Sequence, residues 1–310
     1  MICRTFHAIG LGFSSLDLVG LTPALPQLDG GVQLQDITRQ GGGPVAQAMV
    51  TLARLGASVG FIGRLADDEP GRTMREQFDQ EGVDITHLQV DPGTRSAECL
   101  ILVHQPTGKR SICCFGGTTG DIATENIDIS YLTSGQVLHL DGIDLNAALW
   151  AARVAKPLGV TVCLDAGGPN PNLLEVVPWV DVLIAAEAFA TILSSDGSIE
   201  SGARALQALG PRVVVVTCGD RGSYSLIGED SFFTAPHAVA VVDTTGAGDV
   251  FHGAYIYGML QGWNHHQIAD FAGATAALKC RQLGGRAGIP RLDAVLEFLA
   301  ERGRDIGPYS

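Results

Sequence analysis

Short apolar runs rich in β-branched residues alternate with stretches of helical spacing through most of this chain, and that alternation restricts the fold more than any other feature. Strands are expected at 59–63, 137–140, 160–165, 180–184 and 213–216, with helices at 69–80, 145–156, 186–193, 199–209, 268–279 and 292–301. Continuous apolar strands separated by helices predict a mostly parallel sheet covered on both faces. Ligands of such sheets sit beyond the carboxyl ends of the strands, where Gly12, Asp17, Asp141, Asp165, Thr217 and the turn 246–249 are expected to fall. A chain of 310 residues with 46% hydrophobic content can bury a core of the size this needs.

The stretch 241–254 carries the strongest chemical signal. An apolar run at 239–242 reads as a strand, Gly246-Ala247-Gly248 as a tight turn, and Asp249 opens a helical segment. Free amides and the positive end of a helix dipole then point at one place, an anion site. An acid there opposes a bound phosphate unless it serves as a base, so Asp249 is read as taking a proton from a hydroxyl while the turn stabilises a phosphoryl group in transit. The plainer alternative is a first-turn helix acid. His252, one turn on, is assigned to helix packing, and the pair His265-His266 to an exposed helix start capped by Asn264.

Earlier segments supply further candidates. Gly10-x-Gly12 lacks the third glycine and the immediate helix of a dinucleotide fingerprint. Residues 6–12 read as a buried first strand ending in glycine, and Asp17 at its mouth suits a polyol, since one carboxylate accepts from two vicinal hydroxyls. Gly41-Gly42-Gly43-Pro44 is a second glycine turn entering a helix that stops at Gly56. Alternation at 32–37, at 97–103 and at 110–115 predicts small β excursions from the main sheet. Thr217-Cys-Gly219-Asp-Arg-Gly222 bares backbone that can approach phosphate, or simply begins a hairpin. Ala272, Gly273 and Ala276 leave room for a flat ring against a helix, or for tight helix packing.

The net charge of −13, with no basic stripe, argues against a nucleic-acid partner. No apolar run approaches the roughly 20 residues of a membrane span, and the N-terminus has no secretory pattern. Seven cysteines without C-x-x-C spacing, Cys3 among them, read as free thiols in a reducing compartment, and the expectation is a cytoplasmic protein.

Asp243-Thr-Thr-Gly-Ala-Gly-Asp249, followed by Gly253 and Ala254, resembles the C-terminal signature of the ribokinase-like (PfkB) carbohydrate kinases, and the glycine turn with its Ala-Arg-Leu-Gly helix end resembles their N-terminal one. The resemblance spans essentially the whole chain. It implies a single domain over 1–310, a three-layer α/β/α sandwich with a β lid built from about 13–40 and 95–118, and a homodimer formed through that lid. It implies transfer of the γ-phosphoryl group of ATP to a sugar hydroxymethyl group, with Asp249 as base and Gly246, Ala247 and Gly248 as anion hole. Sugar contacts fall on Asp17, Gly42, Gly43 and Asp141. Nucleotide contacts fall on Thr217, Gly219, Gly222, Gly248, Ala272 and Ala276. Mg²⁺ is expected near Glu187, and a monovalent cation such as K⁺ at Asp243, Thr245 and carbonyls of 279–284. Ala46 stands where many members carry Asn, and 185–189 lacks the family's Asn-x-x-Glu motif. The C-terminal third is similar to the sulfofructose kinase branch, yet the residues that would grip a sulfonate are missing. A nucleoside kinase of the same fold and a non-catalytic nucleotide- or sugar-binding regulator are the alternatives.

Overall fold

The computed structural model describes residues 4–309. Its strands are β1 (Phe6–Leu11), β2 (Ser15–Thr22), β3 (Asp36–Gly42), β4 (Val59–Ile62), β5 (Arg64–Ala66), β6 (Gln89–Asp91), β7 (Glu98–His104), β8 (Lys109–Phe115), β9 (Gly135–Leu140), β10 (Thr161–Ala166), β11 (Val182–Ala186), β12 (Val213–Thr217), β13 (Ser223–Ile227) and β14 (Asp230–Thr234). Its helices are α1 (Pro44–Arg54), α2 (Glu69–Gln80), α3 (Ile129–Leu132), α4 (Leu145–Ala155), α5 (Glu187–Ala190), α6 (Ile199–Gln207), α7 (Ala247–Leu260), α8 (His265–Lys279) and α9 (Leu292–Ala300).

The main sheet runs β14-β13-β12-β11-β10-β9-β1-β4, parallel from β4 to β12 and antiparallel at β13 and β14. Alternate residues feed two core layers, as a period of two requires. Ile9, Leu11, Leu138, Leu140, Val214 and Val216 pack with α4 and α6 on one face. Ala8, Val137, Val213 and Val215 pack with α1, α7, α8 and α9 on the other. The three-layer α/β/α arrangement expected from strand–helix alternation is therefore present. The chain leaves β1 toward β4 on one side and returns to β9 on the other, so the strand order reverses at β1 and opens a crevice at its carboxyl end.

A second sheet, β3-β2-β7-β8, stands apart from the first. The expected hairpin forms between β7 and β8, with a turn whose Gly108 carbonyl accepts from the Thr244 N–H at 3.1 Å. Residues 32–35 are irregular, so the strand expected at 32–37 begins only at Asp36. Among the described residues no helix is long and apolar enough to cross a membrane.

Two expectations are corrected. The run 239–242 is irregular, bends at Val242 and joins no sheet among the described residues: its end is held by the Cys280 carbonyl, which accepts from the Val242 and Asp243 amides at 2.8 and 3.1 Å. Nor are all the cysteines free. Cys99 and Cys114 lie directly opposite across β7 and β8 and are joined by a disulfide, whereas Cys113, Cys163, Cys218 and Cys280 are unpaired and Cys3 lies outside the described residues.

Candidate active site

α7 is buried on nearly every side, from Val250 to Gly258, and this fixes the position of its N-terminus. Gly246 is the N-cap, with φ of 74° that a side chain would oppose, and among the described residues no side chain caps the helix. The Ala247 N–H closes the turn on the Thr244 carbonyl at 3.2 Å, so of the three expected anion-hole residues Ala247 has its amide already engaged. Gly248 is exposed, and a Cβ there would meet nothing within 4 Å. The helix dipole and the open first turn thus face free space.

Asp249 is half-buried in that first turn. Burial, and then the Asp165 carboxylate at the end of β10, hold its carboxyl well above the usual range, while Arg110 of β8 and Lys279 of α8 pull it down. A carboxylate raised in this way is a better proton acceptor than an exposed one at neutral pH. It is in no ion pair among the described residues.

Asp17 is buried in β2, where it accepts from the Ser15 hydroxyl at 2.7 Å. It leans across Gly42, where a Cβ would lie 2.1 Å from its carboxylate, which accounts for the glycine. Burial pushes the Asp17 carboxyl up to about 6, against the Ser15 hydroxyl and the Arg286 charge; the Asp249 charge adds to the rise. Asp17 and Asp249, far apart in sequence, therefore share one electrostatic site. Gly43 turns the chain from β3 into α1. Asp141 differs: its two oxygens accept from the amides of Phe13 and Ile143 at 2.9 and 3.0 Å, and it fills the space over Gly12. Oδ2 thus ties the segment after β1 to the end of β9, while Oδ1 closes a local turn at 141–143.

A second group lies farther along the sheet. Thr217 ends β12 with its hydroxyl donating to the Ala185 carbonyl at 3.3 Å, Gly219 is exposed, and Gly222 closes the turn against the Thr234 carbonyl. Glu187 at the start of α5 pairs with Arg221. Both side chains of that pair are exposed, so the carboxylate expected near magnesium lies at the surface beside an arginine. Ala272 is fully buried in the core, which corrects its expected contact with adenine; Gly273 and Ala276 on the same helix are partly exposed.

Several residues escaped sequence reasoning. Arg286 is buried beside Asp17, stacked 4.9 Å from the Phe78 ring centroid. Gln40 of β3 accepts from the Arg286 and Ala287 amides at 2.8 and 3.0 Å and donates to the Leu283 carbonyl at 3.0 Å, fastening the 283–287 loop to β3. Gly285 of that loop packs against Gly246. Behind Asp249, His139, Asp165 and His252 form a buried trio, with His252 Nε2 3.4 Å from Asp165 Oδ1. Burial holds the His252 imidazole down to about 3, hence neutral, and it serves as helix packing.

The pfkB family carbohydrate kinase pattern matches residues 10–292. The chain belongs to that family. It is 31% identical over 256 residues to the fructokinase of Klebsiella pneumoniae, an alignment covering 76% of this chain and 80% of that one. It is 28% identical over 298 residues to an ATP-dependent ribose-1-phosphate kinase of Halopiger xanaduensis, covering 96% and 99%. The crystal structure of Arabidopsis thaliana ribokinase complexed with ribose and ATP superposes with a TM-score of 0.82 at 25% identity, over 95% of this chain and 99% of that one. The protein is thus a phosphotransferase with an alcohol acceptor, a carbohydrate kinase.

The open space above Gly248 gives a sharp test of the anion site. Gly248→Ala is expected to leave the fold intact and raise helix stability by about 0.5–1 kcal/mol, because the methyl meets no protein atom. The same methyl intrudes where a phosphoryl oxygen would sit, so kcat should fall by about tenfold or more. Thermal melting and initial rates on one preparation check both halves; an unchanged kcat places the phosphate elsewhere.

Proposed function

We propose that this protein transfers the γ-phosphoryl group of ATP to a hydroxymethyl group of a sugar. The observation that carries the reading is the raised carboxylate of Asp249 in the uncapped first turn of α7, beside open space and in electrostatic reach of Asp17. Asp17, with the backbone at Gly42 and Gly43, accepts hydrogen bonds from vicinal hydroxyls and orients the sugar so that one hydroxyl meets Asp249. That hydroxyl gives its proton to Asp249 as its oxygen forms a bond to the γ-phosphorus. The bond from phosphorus to the bridging oxygen breaks and ADP leaves with the electron pair.

Amides of the turn 246–248, chiefly at Gly248, and the α7 dipole stabilise the negative charge on the phosphoryl oxygens. Thr217, Gly219 and Gly222 approach the nucleotide through bared backbone, and Ala276 and Gly273 leave room for its base. Magnesium supplies charge neutralisation on the phosphates when bound, and a hard cation of this kind keeps few protein ligands. The sheet β3-β2-β7-β8 acts as a lid: Thr244 donates to the Gly108 carbonyl through its amide and hydroxyl, and Arg110 donates to the Thr244 hydroxyl at 3.2 Å, which couples the hairpin to the catalytic turn. Leu18, Ile37, Leu100, Ile112 and Phe115 are exposed on that sheet and support a homodimer formed through it.

Coupled ADP release is the test, run across pentoses, ketohexoses, sugar acids, sulfo-sugars and nucleosides with Mg-ATP. At least one sugar should give kcat/KM of about 10⁴ M⁻¹s⁻¹ or more. A preference for nucleosides, or silence on every acceptor despite measurable ATP binding, would sink the reading.

A further inference from the structure

The monovalent cation that the family resemblance implies at Asp243 and Thr245 does not fit the residues present. Asp243 is fully buried, and its carboxylate is already satisfied: Oδ1 accepts from the Thr245 amide and hydroxyl at 2.8 and 2.7 Å, and Oδ2 from the Gly284 amide at 2.7 Å. Its main-chain carbonyl accepts from the Lys279 ammonium at 3.0 Å. Lys279 has 0% exposure. A fully buried lysine is rare, because the ammonium loses its hydration unless the protein supplies oxygen ligands and negative charge.

Both are supplied here. Burial, joined by the Arg110 charge, holds the Lys279 ammonium below the usual lysine range, and the Asp243 and Asp249 carboxylates oppose that and favour its charged form. Lys279 also stands in the last turn of α8, where the helix dipole favours positive charge. We infer that the Lys279 ammonium is the cation of this site, attached to the chain, standing under the catalytic turn in place of a potassium ion. It holds the Asp243 carbonyl, and with it the peptide entering Thr244 to Gly248, and a mobile cation brought to the same carbonyls would meet its charge. Lys279 is a positioning residue, and the kinase needs no monovalent cation.

The inference rests on the proposed kinase reading. A chain that phosphorylates no sugar fails that reading, whereas one that turns over only with potassium fails this inference alone. Initial rates and ATP affinity by calorimetry are measured in choline chloride, then with sodium, potassium or ammonium replacing choline at constant ionic strength, so that screening does not change. Wild-type kcat and ATP Kd are expected to stay within about 1.5-fold across the series. A rise in kcat of more than about threefold with potassium but not with sodium overturns the inference.

Lys279→Met keeps the stem and removes the charge. It is expected to lose about tenfold or more in kcat in choline and to regain part of it with potassium or ammonium, which a merely structural lysine would not allow. A folded Lys279→Met enzyme with undiminished kcat in choline, or with a loss that no monovalent cation reverses, also overturns it. If the variant does not fold, the wild-type salt series decides alone.

Discussion

Asp249→Asn is expected to bind ATP within about twofold of the wild type and to lose about 10²- to 10⁴-fold in kcat, the span assigned to a positioned general base. It should also melt at a higher temperature. A first-turn aspartate ordinarily stabilises its helix through the dipole. Here burial and the Asp165 carboxylate outweigh that, because the Asp249 carboxyl stands above its ordinary range in the folded chain. The folded state therefore holds a proton on this group more tightly than the unfolded state does. The resulting stability is complete below the ordinary aspartate range and is lost as pH rises through the raised value.

Asparagine carries no charge at any pH, so the variant's gain in melting temperature should appear on the alkaline side of that window and vanish in acid. Wild-type kcat/KM should fall on the acid side along a limb displaced above the ordinary aspartate range, and the residual activity of the variant should lack that limb. Calorimetric melts at two pH values with stopped-time ADP release check the pair. A variant that keeps its turnover leaves the proton without its proposed acceptor; one that loses turnover and also melts lower shows Asp249 acting as a helix cap.

What the sequence discloses follows from the range over which each force acts. Strands of the parallel sheet are legible because burial on both faces demands apolar β-branched runs such as Val213 to Val216, and α2 because its charged face and buried Met74 and Phe78 alternate with helical period. Asp249 is legible because an acid after a glycine turn conflicts with the anion site it stands in. The run 239–242 has the composition of a strand, but its end is taken by the Cys280 carbonyl and it joins no sheet among the described residues, and composition cannot report which partner a run finds. Ala272 is not told apart from Ala276 by sequence, because α8 is apolar on more than one face and its composition does not say which small residue faces outward. The Cys99–Cys114 link depends on hairpin register, and Arg286, Gln40 and Lys279 reach the site across more than a hundred residues or from the far end of a helix, with no local spacing to mark them.

Asp17→Ala is expected to raise the sugar KM by about 10- to 100-fold, the loss that follows when a charged acceptor of ligand hydrogen bonds is removed, with ATP affinity unchanged. The substitution is specific because among the described residues the Asp17 carboxylate has one protein donor, the Ser15 hydroxyl at 2.7 Å, which leaves most of its accepting capacity for a ligand. Asp141 makes the contrast: its oxygens are bonded to the Phe13 and Ile143 amides, so Asp141→Ala should disturb the ends of β1 and β9 and lower the melting temperature more than it changes the sugar KM. The pH dependence separates them further. With its carboxyl raised to about 6, Asp17 gains a proton as pH falls through that value, and an accepting oxygen becomes a donor. Sugar KM in the wild type should therefore climb on the acid side while ATP KM stays level. Asp17→Asn, which presents one acceptor and one donor group at every pH, should start from a raised sugar KM and show no such climb. A wild-type sugar KM that is flat from pH above that value to pH below it would mean that the hydroxyls are held elsewhere, and Arg286, whose charge acts on Asp17, with the backbone at Gly43 would be the next groups to test.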